Sequence, residues 1–280
     1  MMRVGWVGLF GLIVSTGALA TDTLSRIEKT GTLRLGFRAD APPYSYRSGD
    51  GSPSGYMVDL CREISEVVKK STGATKLKVE FVEITAADRL EAVRDGKIDV
   101  LCDPTSMTMS RRELVDFSLP TVIDGAGLLY RNTGPGHLAD FAGKRIGVLQ
   151  GTTTEETLKA TLYKLDIEAT AVPMKSHEDA IRAIIDKKLD AYFADRGILS
   201  YYLLNSNHRS MLKLEEQYYT FETYAVALPR GDGRLRLLVD ATLADLYRSH
   251  AVRRIYTRSF GNTAPDEFMR ALFVIHGVAK

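Results

Sequence analysis

Short aliphatic and β-branched runs alternate with amphipathic helical stretches along this chain, and the order repeats after Pro120. Leu33–Phe37, Leu77–Val82 and Ile98–Leu101 read as strands, and helices are predicted from Gly55 to about Lys70 and over Ala86–Arg94. The first of these helices sets apolar side chains at 57, 60, 64, 67 and 68, one face of a 3.6-residue period. In the second series, strands are predicted from Lys144 to Leu149, over Ala169–Pro173 and over Ala191–Asp195. Helices follow each of them, the later ones over Glu178–Lys187 and Gly197–Leu204. Tyr224–Pro229 then reads as a strand returning to the first series, ahead of a helix over Arg234–Arg248 and a tail. Alternation of this kind selects an α/β class, parallel sheets with helices on both faces. The chain is expected to cross between two lobes near Ser118–Gly125 and again near Thr220–Tyr224, a two-strand hinge joining two doubly wound sheets. Lobe 1 would hold residues 21–121 and 223–280, and lobe 2 residues 122–222.

Residues 1–20 read as a cleaved export signal: Arg3, an uncharged and largely apolar core from Val4 to Thr16, then Ala18-Leu19-Ala20. No later segment is long enough to cross a membrane, so a soluble, exported chain is expected, periplasmic where the cell has two membranes. About 260 residues then remain, more than one core usually serves, which agrees with two lobes. A net charge of +2 argues against nucleic acid as a partner. Cys61 and Cys102 fall in one predicted lobe and either pair or stay as buried thiols. A bridge would close a loop worth about 4 kcal/mol in the chain-entropy treatment.

The chemistry concentrates at predicted strand ends. Ile98–Leu101 runs into a hydroxyl-rich stretch with Thr105, Ser106, Thr108 and Ser110, and Arg111 follows on a short helical turn. Hydroxyls, free N–H groups and a guanidinium around one point suit a carboxylate. Gly151-Thr152-Thr153-Thr154 forms a second such turn between a strand and a helix of the other lobe. Asp195 ends a strand there.

The segment from Gly96 to Pro120 resembles that of the bacterial extracellular solute-binding proteins of family 3, which deliver polar amino acids to ABC transporters. The resemblance covers essentially the whole mature chain and implies a type II periplasmic binding protein fold. In that family an arginine four residues before a Val-Asp-Phe-Ser run holds the ligand's α-carboxylate, and Arg111 stands at that spacing. The resemblance also implies ligand contact by Ser106 and ammonium binding by Asp195. Pro104 stands where relatives use a small hydroxyl or glycine; its carbonyl remains available, but it has no N–H. Arg38, Arg89 and His177 coincide with positions that surround the side-chain carboxylate in glutamate- and aspartate-binding members.

Charge counting points the same way. Three guanidinium groups against Asp195 leave two positive charges over, and a zwitterionic ligand would leave them unpaired in a closed cleft. An unpaired buried charge costs several kcal/mol, so a dicarboxylic amino acid is expected. Tyr44 and Tyr46 are expected at the mouth of the cleft. No Cys-x-x-Cys, His-Glu-x-x-His, Gly-x-Ser-x-Gly or P-loop spacing occurs, and the five histidines are scattered. The expectation is a monomeric receptor without cofactor, metal or catalytic residue, partnered by ABC permease subunits. The rivals are the same fold holding glutamine, histidine or cysteine, and a cyclohexadienyl dehydratase-like enzyme with Asp195 as acid or base.

Overall fold

The computed structural model describes residues 22–73, 76–261 and 263–279. The export signal expected over residues 1–20 lies outside them. In chain order the elements are α1 (Thr23–Thr30), β1 (Thr32–Arg38), β2 (Asp40–Ala41), β3 (Ser45–Arg47), β4 (Pro53–Ser54), α2 (Tyr56–Ser71), β5 (Lys78–Ile84), α3 (Arg89–Arg94), β6 (Val100–Ser106), α4 (Met109–Arg112) and β7 (Val115–Asp124). There follow β8 (Ala126–Arg131), β9 (Arg145–Leu149), α5 (Thr153–Lys164), β10 (Thr170–Met174), α6 (His177–Ile185), β11 (Ala191–Asp195), α7 (Arg196–Asn205) and β12 (Leu212–Leu214). The chain closes with β13 (Glu222–Pro229), α8 (Gly233–Arg248), α9 (Val252–Phe260) and α10 (Glu267–His276).

Two five-stranded sheets share one plan. The first has the order β5-β1-β6-β13-β7 and the second β10-β9-β11-β8-β12. In each, three strands run parallel and the two linking strands run antiparallel to their neighbours. Each sheet is covered on both faces, because alternate residues of a strand point to opposite sides. Along β13, Tyr224, Val226 and Leu228 pack with Met57, Leu60 and Ile64 of α2 and with α8. Ala225 and Ala227, between them, pack with Ala92 and Val93 of α3. Along β11, Phe193 faces Leu158 of α5, whereas Tyr192 and Ala194 face Ile181 and Ile184 of α6. The result is a two-lobed α/β architecture.

β7 passes into β8 through Gly125, and the return to the first sheet enters β13 just after Thr220. The crossings pass so closely that a Cβ on Gly125 would lie 1.8 Å from the Thr220 carbonyl oxygen. Neither backbone can yield alone. A Gly125→Ala chain is expected to lose about 1–3 kcal/mol of stability through overpacking at the hinge. Urea denaturation checks this, and an unchanged midpoint would show that the crossings separate freely.

Several elements depart from the predicted ones. β6 continues as strand through Pro104 to Ser106, where a loop is predicted. Pro104 is tolerated because β1 pairs with β6 only at Val100 and Leu101, and the β13 register slips between Ala225 and Ala227. No ladder bond is asked of its missing N–H. α3 starts at Arg89 rather than Ala86, since the Thr85 amide donates to Asp88 Oδ1 (2.7 Å) and closes a turn first. The predicted tail folds as α9 and α10, whose Ile255, Tyr256, Leu272 and Phe273 complete the first core. A disulfide joins Cys61 of α2 to Cys102 of β6, with Cα atoms 6.1 Å apart.

Candidate functional site

The parallel strands of both sheets end in the space between the lobes, the place where open α/β sheets present ligand-binding loops. Arg38 is the last residue of β1 and Arg89 the first of α3, and both are only 3% exposed. Arg38 Nε donates to Asp40 Oδ1 (2.9 Å), and its Nη2 lies 3.3 Å from His177 Nε2 of the second lobe. Arg89 Nε donates to Thr105 Oγ1 (3.2 Å) and sits 3.5 Å from Asp103 Oδ2, while Nη1 donates to the Ala86 carbonyl. Arg111, half-buried on α4, is braced by Nη1 on the Ser106 carbonyl (2.9 Å). The Thr108 hydroxyl caps that turn by accepting from the Arg111 amide (3.2 Å). Among the described residues, Arg38 Nη1, Arg89 Nη2, and Nε and Nη2 of Arg111 make no hydrogen bond. Each guanidinium thus keeps donors to spare.

The second lobe answers from its own strand ends. Thr152 caps α5, its hydroxyl accepting from the Glu155 amide (3.3 Å) and donating to the Leu149 carbonyl (2.7 Å). Glu155 in turn accepts from the Gly151 amide (2.9 Å). The Thr152 hydroxyl is therefore spent on capping, and only its backbone remains for a ligand. Thr153 faces the cleft: its hydroxyl donates to Glu222 Oε2 (2.8 Å) and lies 3.1 Å from Ser106 Oγ of the first lobe. His177 Nδ1 lies 2.7 Å from the Tyr192 hydroxyl. Burial first, and then the Arg38 charge, hold its imidazole down to about 3, so it is neutral at physiological pH. Asp195 ends β11, buried, with no salt bridge among the described residues. The buried Tyr224 hydroxyl stands beside it and favours its charge, but outside hydrogen-bonding geometry. The contacts between Arg38 and His177 and between Ser106 and Thr153 mark the lobes as closed on one another.

Burial, with Arg111 and Arg38 pushing the same way, pulls the Arg89 guanidinium down to about 10 against the pull of Asp103. The three guanidinium groups therefore share one electrostatic neighbourhood. The positive surplus expected there is absent, however. Asp40 pairs with Arg38 (2.8 Å), Asp103 stands against Arg89, and Asp124 and Glu222 lie close enough to raise Asp195. Asp40, Asp103 and Asp195 thus stand with the three guanidinium groups, and Asp124 and Glu222 adjoin Asp195 from the hinge, five carboxylates in all. Signals for two of these were present in the sequence. Asp40 lies two residues from Arg38, and Asp103 is a carboxylate at the end of an apolar run, which burial obliges to find a partner. Tyr44 is not at the mouth either: its hydroxyl donates to Asp124 Oδ2 (2.8 Å) at the hinge, and its ring packs on Tyr224 and Phe260. Tyr46 lies against Tyr201 of the second lobe.

Burial, then Asp124 and Glu222, push Asp195 up to about 7. A carboxyl raised in the fold adds stability that is complete below its ordinary value of 3.8 and is lost as pH rises through 7. His177 acts oppositely, its contribution complete above 6.5 and lost as pH falls toward 3, and Asp124, raised by burial to about 6, completes most of its ionisation below pH 7. Between pH 6.5 and 8 Asp195 is therefore the main titrating member of this group. Unfolding free energy without ligand should fall across that interval more steeply than in an Asp195→Asn chain. Equal slopes in denaturant titrations would contradict the raised carboxyl.

Two sheets of one plan, joined twice and closed over polar strand ends, define a two-lobed binding protein. The chain belongs to the bacterial extracellular solute-binding proteins, family 3, whose family model matches residues 33–262. It is similar to the L-glutamate/L-aspartate-binding protein of Pseudomonas aeruginosa, 29% identical over 257 residues, which cover 90% of this chain and 84% of that one. It is also similar to the L-cystine-binding protein of Escherichia coli, 26% identical, covering 85% of this chain and 86% of that one. Among solved structures, an ancestral arginine-binding protein bound to arginine superposes with a TM-score of 0.73 at 26% identity, over 82% of this chain and 99% of that one. The chain is a solute-binding protein of that family.

Proposed function

We propose that this protein captures an acidic amino acid, L-glutamate or L-aspartate, between its lobes and delivers it to the permease of an ABC importer. One observation carries the reading: three guanidinium groups with unused donors converge on one side of the cleft, opposite Asp195, which is in no salt bridge among the described residues. Arg111, with Thr153 and the first amides of α5, takes the α-carboxylate, and Asp195 takes the ammonium. Arg38 and Arg89, with His177 beside them, offer their free donors to the side-chain carboxylate. Because the groups come from both lobes, the ligand ties the closed state together, as in hinge closure of periplasmic binding proteins generally. Export by the N-terminal segment would place this capture outside the cytoplasmic membrane. The relative from Pseudomonas aeruginosa, named for glutamate and aspartate, supports the same reading.

The carboxylate excess favours a second reading, a ligand of zero or positive net charge. Thermal-shift screening of the twenty amino acids with prephenate and arogenate separates the two. A ligand at one hundred times its dissociation constant stabilises the fold by about 2.7 kcal/mol. Glutamate and aspartate are expected to give that shift, and a neutral or basic amino acid that shifts while both fail would replace the first reading by the second.

A further inference from the structure

A cavity of about 480 Å³ lies behind the hinge, lined from both lobes and by the segment between α9 and α10. None of Arg38, Arg89, Arg111, His177 or Asp195 lines it. Its volume falls within the range of small-molecule sites, roughly 300–1,000 Å³. Rings of Tyr44, Tyr201, Tyr218, Tyr256 and Phe260 line it, and Asp124 contributes a buried carboxylate. Asp124 Oδ2 accepts from the Tyr44 hydroxyl (2.8 Å) and the Gly197 amide (3.0 Å), whereas Oδ1 accepts only from the Gly125 amide (2.8 Å). A carboxylate oxygen has room for a second donor. Two other charged side chains line the cavity. Arg196 donates to the Glu215 carbonyl and lies 4.7 Å over the ring of Tyr218, so it already covers one aromatic face of the lining. Asp266 caps α10 by accepting from the Met269 amide (2.8 Å). Two carboxylates against one engaged guanidinium make the lining acidic, and the aromatic faces add attraction for a cation.

We propose that this cavity is a second binding site, separate from the interlobe cleft, for a small organic cation with an aromatic or apolar body. The ammonium reaches Asp124 Oδ1 and the body lies among the tyrosine and phenylalanine rings. Calorimetric titration of phenethylamine into the full chain tests it, with 2-phenylethanol as the uncharged counterpart. Saturable amine binding is expected, with the alcohol at least tenfold weaker. Ser200→Trp, which fills the cavity from α7, should weaken the amine at least tenfold, with circular dichroism confirming its fold. An Arg111→Met chain should bind the amine unchanged, because Arg111 stands outside this cavity. Absence of saturable binding at millimolar amine, equal binding of the alcohol, indifference to Ser200→Trp in a folded chain, or loss in Arg111→Met would each overturn the proposal.

Discussion

Replacing Arg111 by methionine is expected to weaken amino-acid binding by about 3 kcal/mol or more, over a hundredfold, as for loss of one partner from a buried charge pair. Of the three cleft arginines, Arg111 is the one with no carboxylate within salt-bridge distance among the described residues. Arg38 and Arg89 each hold an anion of the protein's own, so part of their charge is already answered. Methionine keeps the length of the stem and removes only the charge and its donors. The fold should tolerate this, since the side chain is half-buried at the cleft rim rather than in a core. Calorimetry with the preferred amino acid reads the loss, and urea titration confirms that the chain remains folded. Affinity within threefold of the parent would place the guanidinium away from the ligand.

The second large effect belongs to stability. Cys61 and Cys102 are bridged across a separation of 41 residues, and a closed loop of that size is worth about 4 kcal/mol in the chain-entropy treatment. That is a sizeable share of the 5–15 kcal/mol by which a typical domain is stable. The bridge fastens α2 to β6, the strand that ends at Ser106 and leads into Arg111. Its loss should therefore destabilise the first lobe. The double variant Cys61→Ala/Cys102→Ala, compared with the oxidised parent in urea, should lose about that amount. Identical midpoints for the two chains would show that the cross-link does not constrain the unfolded chain as described.

The architecture was legible because period and punctuation agreed along both halves. The run Tyr224-Ala-Val-Ala-Leu carries large side chains on one face and small ones on the other, and it packs as a central strand between two helical layers. Strand ends with polar residues could be read as pointing into one cleft, and Arg38, Arg89, Arg111, Thr153, His177 and Asp195 do converge. Their counter-ions were harder to read. Asp40 lay hidden in the loop reading of Asp40-Ala-Pro-Pro, and Asp103 fell past the predicted strand Ile98–Leu101, in a polar stretch where a carboxylate needs no buried partner, whereas β6 runs on to Ser106 and buries it. Asp124 and Glu222 become site neighbours only once the two hinge crossings lie side by side, which no local pattern announces. α9 and α10 were missed because each is short and packs through contacts far apart in sequence, α9 on α2 and α10 on β7 and α8. Local periodicity thus located the donors, and tertiary proximity decided how many of them remain unengaged.

That unengaged capacity is the centre of the account. The direct test is calorimetry of glutamate and glutamine against the parent chain and against Arg89→Ala. Glutamate should bind the parent more tightly than glutamine, and Arg89→Ala should weaken glutamate by at least about 2 kcal/mol, some thirtyfold, while changing glutamine far less. Equal losses for both ligands, no loss for glutamate, or a parent chain that prefers glutamine would contradict a second carboxylate held by Arg38 and Arg89.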